Sequence, residues 1–185
     1  MRDSRWRRTV GVAGVVGVGL AVVFGGSGCT PPSAPRPTAT ATVSGFVSED
    51  EAFRAAEATY RAYVDALNRV DLADPRTFEP VYEWLEGDAL STSKNSFTRM
   101  HAEGLSVAGK STVPFVEPRV AGAHAIVIDV CLDVSDVDIV DPHGKSVVSK
   151  SRDDRQPRRL TLRVGATATG LIISSSEPVG SEVCG

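Results

Sequence analysis

The N-terminal segment constrains most strongly what the chain can fold into, because its pattern predicts export and leaves the remainder to form the folded part. Residues 1–8 carry four arginines and one aspartate, and the run from Thr9 to Phe24 carries no charge. A basic segment, an apolar run and then small residues are typical of a secretory signal peptide. The arginines stay on the cytoplasmic side while the apolar run enters the bilayer. We therefore expect residues 1–28 to be a leader.

The end of this leader resembles the lipobox of bacterial lipoproteins. Ser27 and Gly28 precede Cys29 as in that motif, although Gly26 stands where a leucine is usual. The resemblance implies a lipoprotein signal peptide and acylation of Cys29 with diacylglycerol and palmitate. Two acyl chains give stable anchoring, so we expect a chain held on the extracytoplasmic face of the cell membrane. An uncleaved anchor helix and ordinary secretion are the alternatives.

Cysteine parity points to the same compartment. If Cys29 is acylated, Cys131 and Cys184 remain from the three cysteines of the chain. An even pair in an oxidising compartment predicts a disulfide bond, and two free buried thiols are the alternative. The chain has no C-x-x-C motif and its three histidines share no ligand spacing, so no metal site is predicted.

Length and composition bound the rest of the chain. The 185 residues suffice for one domain. Residues 29–45 are rich in proline, alanine and threonine and are predicted to be a disordered tether, which leaves residues 46–185 as the folded domain. The net charge of −3 argues against a nucleic-acid partner.

Helix signals come first in that domain. Ser48 and Glu51 form a capping box, and apolar residues follow at helical spacing. A second helix is predicted from Asp74–Pro75 to Gly87 because aspartate followed by proline is a typical helix start. A third, weaker helix is predicted over residues 88–103.

The pattern then changes to β-branched residues and alternation. Strands are predicted over residues 111–116, 123–134, 160–167 and 171–175, with the charged segment 151–159 as a solvated loop. Alternation places Ile126, Ile128 and Val130 on one face and Asp129 on the other. Helices followed by strands predict an α+β fold in which three N-terminal helices pack on a curved, mainly antiparallel sheet.

Two segments resemble a known family. Residues 60–90, YRAYVDALNRVDLADPRTFEPVYEWLEGDAL, and residues 125–148, AIVIDVCLDVSDVDIVDPHGKSVV, are similar to the nuclear transport factor 2-like, or cystatin-like, α+β roll of lipoproteins from high-GC Gram-positive bacteria. The resemblance implies a conical pocket between the helices and the bent sheet. Some members are isomerases or dehydratases and many only bind ligands or partners, so the fold alone does not assign chemistry.

One motif matches a nucleotide site by letter. Residues 104–111, GLSVAGKS, fit the phosphate-loop pattern G-x-x-x-x-G-K-[ST]. Phosphate binding requires a strand before the first glycine and a helix after the Lys-Ser pair. Here a predicted helix precedes the motif and strand-like sequence with Pro114 and Pro118 follows it. We expect a turn that enters a strand and no nucleotide partner.

Acid–base candidates lie in the predicted pocket. Tyr60 or Tyr63 could donate a hydrogen bond and Asp129 or His101 could act as a base, although tyrosines at this spacing are also ordinary core residues. The expected pocket residues are Tyr60, Tyr63, Tyr82, Phe97, Met100, Ile128 and Asp129. The aspartates from 129 to 141 lack the spacing of a calcium loop and are predicted to form a solvated sheet face.

These patterns favour a non-catalytic module at the cell envelope that binds an apolar small molecule or an envelope protein. No catalytic residue and no cofactor is predicted for this reading. The alternatives are a small isomerase or dehydratase with a tyrosine–aspartate pair, and a structural protein of envelope assembly.

Overall fold

The computed structural model describes residues 45–185. The predicted leader and the acylation of Cys29 lie outside these residues, as does the tether apart from Gly45. None of the helices in the described part of the chain is long and apolar enough to cross a bilayer.

The described residues form an α+β fold, which confirms the predicted fold class. The helices are α1 (Glu49–Leu67), α2 (Glu79–Tyr82) and α3 (Gly87–Ala102), with 3-10 turns at Pro75–Thr77 and Ser181–Cys184. The strands are β1 (Ser106–Ala108), β2 (Thr112–Ala121), β3 (Ile126–Asp133), β4 (Asp138–Val140), β5 (Arg155–Val164) and β6 (Leu171–Pro178).

The first helix begins at the predicted capping box. The Ser48 hydroxyl accepts a hydrogen bond from the Glu51 amide at 3.2 Å, and the Glu51 carboxylate accepts one from the Val47 amide at 2.8 Å. The first bond satisfies an amide that the first helical turn leaves free, and the second ties the residue before the N-cap to the helix. Ala56 and Tyr60 then face the core one turn apart, so α1 presents one apolar stripe to the sheet.

The second predicted helix is replaced by two short turns, which corrects the prediction for residues 74–87. Asp74 caps the 3-10 turn, as the sequence indicates. Pro80 sits at the first positions of α2, where its missing amide is tolerated, but it cannot continue a helix from the preceding turn. Leu85 instead forms a parallel bridge with Ile173, so the chain leaves α2 to run along the edge of the sheet.

The main sheet has the order β2-β3-β5-β6 and is antiparallel throughout. Register shifts in β2 and at Thr161–Leu162 in β5 add curvature. Both edges are modified: β2 carries Pro114 and Pro118, and Ile173 of β6 exchanges backbone hydrogen bonds with the chain at Trp84 and Glu86. Helices α1 and α3 pack on one face only.

Strand β3 carries the centre of the core. Its residues Ile126, Ile128 and Val130 have no exposed surface, and they pack with Leu160 and Leu162 of β5 against the helices. The predicted alternation is therefore confirmed. Full burial of an aliphatic side chain contributes about 1.5–3 kcal/mol, so this row is a main source of stability.

The predicted loop over residues 151–159 is wrong in its second half, because β5 begins at Arg155. The strand forms there because it pairs with β3 and β6, and its arginines find partners on both faces. Arg155 and Arg159 approach Asp133 and Asp129 on one face, while Arg158 bonds Ser176 on the other. The charged residues of this segment predicted a solvent-exposed loop, whereas in the structure their side chains bond with residues on the neighbouring strands.

Cys131 and Cys184 form a disulfide bond, as predicted. The bond ties the C-terminal 3-10 turn to the face of the sheet opposite the helices, where Cys131 is buried. It closes a loop of 53 residues, which in the chain-entropy model stabilises the fold by about 4 kcal/mol.

Residues 104–111 do not have phosphate-loop geometry. The segment after Gly104 is β1, which pairs antiparallel with β4 in a separate two-stranded ribbon, and β2 follows Ser111 where a helix would be needed. Gly109 has a positive φ of 81°. A Cβ there would collide with the backbone oxygen of Asp136, so this glycine permits a close crossing of two backbones.

Candidate functional site: a cavity beside two tyrosines

A cavity of about 470 Å³ lies between α1, the first half of α3 and the inner face of β5 and β6. We call it the tyrosine cavity. Its apolar lining is Leu85, Ala89, Leu132, Leu160 and Ile173, and its polar lining is Tyr60, Tyr63, Asp88, Thr92, Ser93, Gln156, Arg158, Ser175, Ser176 and Glu177. This volume falls in the range of small-molecule sites, which run from about 300 to 1,000 Å³.

Tyr60 and Tyr63 stand side by side on α1, with ring centroids 5.8 Å apart and nearly parallel planes. Residues three apart share a helix face, so both rings reach the same wall. Burial raises the pKa of both hydroxyls above the usual value near 10. Both groups therefore stay protonated and can donate hydrogen bonds at neutral pH.

Tyr60 is only 2% exposed. Its hydroxyl has no hydrogen-bond partner among residues 45–185, but it is not sealed from solvent, because Arg152 Nε is the only fully buried side-chain nitrogen or oxygen without a partner in those residues. The Tyr63 hydroxyl, in contrast, interacts with Ser93, which opposes the rise of its pKa. The Tyr60 hydroxyl therefore lies at the wall of the cavity, where a ligand or water can accept its hydrogen bond.

Arg158 supplies the positive charge of the cavity. Its Nε donates to the Ser176 hydroxyl at 3.2 Å and its Nη2 to the Ser176 carbonyl at 2.9 Å. These bonds hold the guanidinium in place and leave Nη1 outside the hydrogen bonds of the described residues. Arg158 lines the same cavity as Tyr60 and Tyr63, and its charge lowers the pKa of both tyrosines against the larger effect of burial.

Acidic groups occur only at the rim of this cavity. Asp88 is exposed at the start of α3, and Glu177 is exposed and lies opposite Arg159 in the strand register, so its side chain is directed to the other face of the sheet. No side chain caps the start of α3 at Glu86, so the first amides of that helix remain available at the mouth. The interior thus contains hydrogen-bond donors and one cation above an aliphatic floor.

Of the predicted pocket residues, Tyr60 and Tyr63 line the tyrosine cavity, while the other five lie elsewhere. Phe97 and Met100 line a separate apolar cavity of about 170 Å³ near the β1–β4 ribbon. Tyr82 packs on Phe97 at 6.0 Å between centroids, with the Lys94 ammonium 5.1 Å from its ring. Ile128 is sealed in the core. Phe97 and Met100 lie in the second half of α3, beyond the part of that helix that lines the tyrosine cavity.

The placement of Asp129 corrects both its pocket role and the solvated-face prediction. Asp129 is fully buried on the opposite face of the sheet from the tyrosines. Arg159 donates to it at 2.7 and 2.8 Å and Arg119 at 2.6 Å. The hydrogen bonds from Arg159, then those from Arg119, hold its pKa below the usual value although desolvation opposes them. This carboxylate is occupied and cannot form an acid–base pair with Tyr60 or Tyr63.

The other candidate base, His101, also lies away from the tyrosine cavity. Its Nδ1 is 2.6 Å from the carbonyl oxygen of Leu72, and its ring packs edge-on against Phe78. Asp141 stabilises a local turn, where its carboxylate accepts from the amides of His143 and Lys145. Within residues 45–185, no group of three or more His, Cys, Asp or Glu side chains is arranged to hold a metal ion.

Arg158, Gln156 and Ser176 are the cavity residues that sequence reasoning missed. Gln156 and Arg158 lie in the segment interpreted as a loop. They precede Leu160 and Leu162 at two-residue spacing, which puts all four on one strand face. That periodicity could have extended β5 backward and placed Arg158 on the inner face.

Comparison with known proteins adds only general likeness of fold. No protein-family model matches the chain, and no curated protein matches it either. Among solved structures, the intermembrane space region of the chloroplast protein ARC6 is 16% identical with a TM-score of 0.46, covering 70% of this chain and 97% of that one. A protein assigned as an aromatic ring hydroxylase from Novosphingobium aromaticivorans is 11% identical with a TM-score of 0.49, covering 72% and 92%. At these values neither protein's function transfers to this chain.

The arrangement of the tyrosine cavity suits binding better than acid–base chemistry. It offers buried donors, a positioned guanidinium and an aliphatic floor. General base catalysis needs a base within hydrogen-bond reach of the reacting proton. In the described chain, both proposed bases lie outside this cavity, and the carboxylates that line it stand exposed at its rim.

Proposed function

We propose that this chain is a membrane-anchored extracytoplasmic protein whose nuclear transport factor 2-like domain binds an amphipathic small molecule in the tyrosine cavity. The cavity itself carries the proposal, because it combines a suitable volume with an aliphatic floor, two tyrosine hydroxyls and a positioned guanidinium. Sites for small ligands are mostly apolar with few convergent polar groups. The anchor rests on the lipobox resemblance at Cys29.

The binding role is tested on protein purified from its host by native mass spectrometry, which detects co-purified small molecules. Thr92 is exposed at the rim of the cavity, so Thr92→Trp should close the entrance without disturbing the core. Asn95→Trp, on an exposed turn of the same helix, is the matched control. We expect the bound mass in the unmodified and Asn95→Trp proteins and its loss in Thr92→Trp.

Ligand binding in this cavity would be refuted if the unmodified protein carries no co-purified molecule. It would also be refuted if Thr92→Trp still carries that molecule. The envelope-assembly alternative would then be favoured. The anchor is tested separately by mass spectrometry of the mature N-terminus. We expect Cys29 as the first residue of the mature chain with a diacylglyceryl adduct on its sulfur, and Cys29→Ala should abolish both the adduct and cleavage at this position, whereas an unmodified Cys29 contradicts the anchor.

A further inference from the structure

The ligand class can be narrowed from the charges of the tyrosine cavity, on the assumption that the proposed binding function holds. The wall near Arg158 offers several hydrogen-bond donors, namely the Tyr60, Tyr63 and Ser93 hydroxyls, the Gln156 amide and the guanidinium, and the guanidinium is the only charged group among them. A cavity rich in donors and holding a cation favours an acceptor with negative charge.

The Arg158 guanidinium is held in an orientation that suits a negatively charged acceptor. Arg158 is half-buried, and its two hydrogen bonds to Ser176 fix its orientation. Its Nη1 and the Tyr60 hydroxyl have no partners within the described chain. Both groups line the same cavity, so a ligand with two acceptor atoms on a small charged group, such as a carboxylate, matches the donors that the cavity offers.

The remaining charges do not compete with that role. Asp88 and Glu177 are exposed at the rim, where water screens their field. The floor of Leu85, Leu132, Leu160 and Ile173 excludes a second charged group, because burial of an unpaired charge is costly.

From this geometry we infer that the ligand is a monocarboxylic acid with an apolar body. Its carboxylate binds the Arg158 guanidinium and the Tyr60 hydroxyl, and its apolar body lies on the aliphatic floor. Dicarboxylates and cations are excluded by the same arrangement.

The test compares octanoate with octanamide, which has nearly the same shape and no charge, by titration calorimetry on the full chain. Arg158→Gln removes the guanidinium. Arg163→Gln is the matched control, because Arg163 is an exposed arginine of the same strand that does not line the cavity. Charge-assisted hydrogen bonds predict that octanoate binds at least about tenfold more tightly than octanamide. Arg158→Gln should abolish this preference, and Arg163→Gln should retain it.

Equal affinity for the two probes would overturn the inference and leave the proposed binding function standing. Binding of neither probe would also overturn it, while the co-purified mass still decides whether the cavity binds anything. If Arg158→Gln does not fold, Arg158→Lys keeps the charge but changes the bonds to Ser176. The inference then predicts a clearly smaller preference for octanoate in Arg158→Lys than in Arg163→Lys, and an undiminished preference would overturn it.

Discussion

Asp129 and Arg159 lie directly opposite each other in the register of β3 and β5, and the guanidinium donates two hydrogen bonds to the carboxylate. Arg119 adds a third from the other side. Asp129 is fully buried, although the two arginines that cover it are 37% and 48% exposed. The carboxylate is therefore shielded by side chains that remain in contact with water.

Substitution of Arg119 and Arg159 should lower the free energy of unfolding more than substitution of Asp129. Asp129→Ala leaves arginines that water can hydrate, so we expect a loss of about 1–2 kcal/mol in the free energy of unfolding. Arg119→Ala with Arg159→Ala leaves an unpaired carboxylate in the sheet, so we expect about 3 kcal/mol. Urea denaturation measures both. Equal losses would show that the carboxylate is hydrated without its arginines.

The same ion pairs predict that the free energy of unfolding decreases at acidic pH. The folded state lowers the pKa of Asp129, so its contribution is complete above the unfolded value of about 4 and is lost as the pH falls through the lower folded value. Asp129→Asn should therefore reduce the loss of stability between about pH 4 and pH 2. Urea denaturation over this range measures the slope, with the exposed Asp153→Asn as control. An unchanged slope in Asp129→Asn would contradict the prediction.

The disulfide should support the stability of the whole sheet. Reduction, or Cys131→Ala with Cys184→Ala, opens the 53-residue loop, and we expect a loss of about 4 kcal/mol from the chain-entropy model. Denaturation with and without reductant measures the difference. An unchanged midpoint would mean that the C-terminal turn contributes nothing to the folded state.

Gly109 should tolerate substitution less well than Gly144. Both have a positive φ, near 80°, so alanine costs about 1–2 kcal/mol of backbone strain at each position. A Cβ at Gly144 meets no atom within 4 Å, whereas at Gly109 it meets the backbone of Asp136. We expect Gly109→Ala to lower the thermal midpoint clearly more than Gly144→Ala. Equal shifts would show that the β1–β4 ribbon moves apart without cost.

The sequence predicted those elements whose local signals agree with their surroundings. Helix α1 has both a capping box and an apolar stripe, and β3 alternates over a buried centre, so local preference and tertiary packing favour the same structure. The segment at residues 78–87 has helical periodicity, but Pro80 and pairing of Leu85 with Ile173 override it. Propensity is a weak guide where a sheet edge competes for the backbone.

The candidate site was harder to predict, because a single sequence does not show whether a charged side chain faces solvent or a partner within the fold. Asp129 and Arg158 both occur in charged, strand-forming stretches, and solvated surfaces show the same composition. Only the register of β3, β5 and β6 shows that Asp129 faces arginines across strands while Arg158 faces two tyrosines of α1. Partner identity depends on pairing between distant segments, which local patterns do not contain.

The two edge strands of the main sheet bear on whether the protein aggregates at high concentration. Pro114 and Pro118 lack the amide hydrogens that β2 would otherwise offer to a further strand. On β6, the backbone amide and carbonyl of Ile173 are already bonded to Trp84 and Glu86. A border closed in this way resists the addition of strands from other molecules, which is the step that begins amyloid-like aggregation. Even at high local density the protein should therefore stay dispersed instead of growing into fibrils.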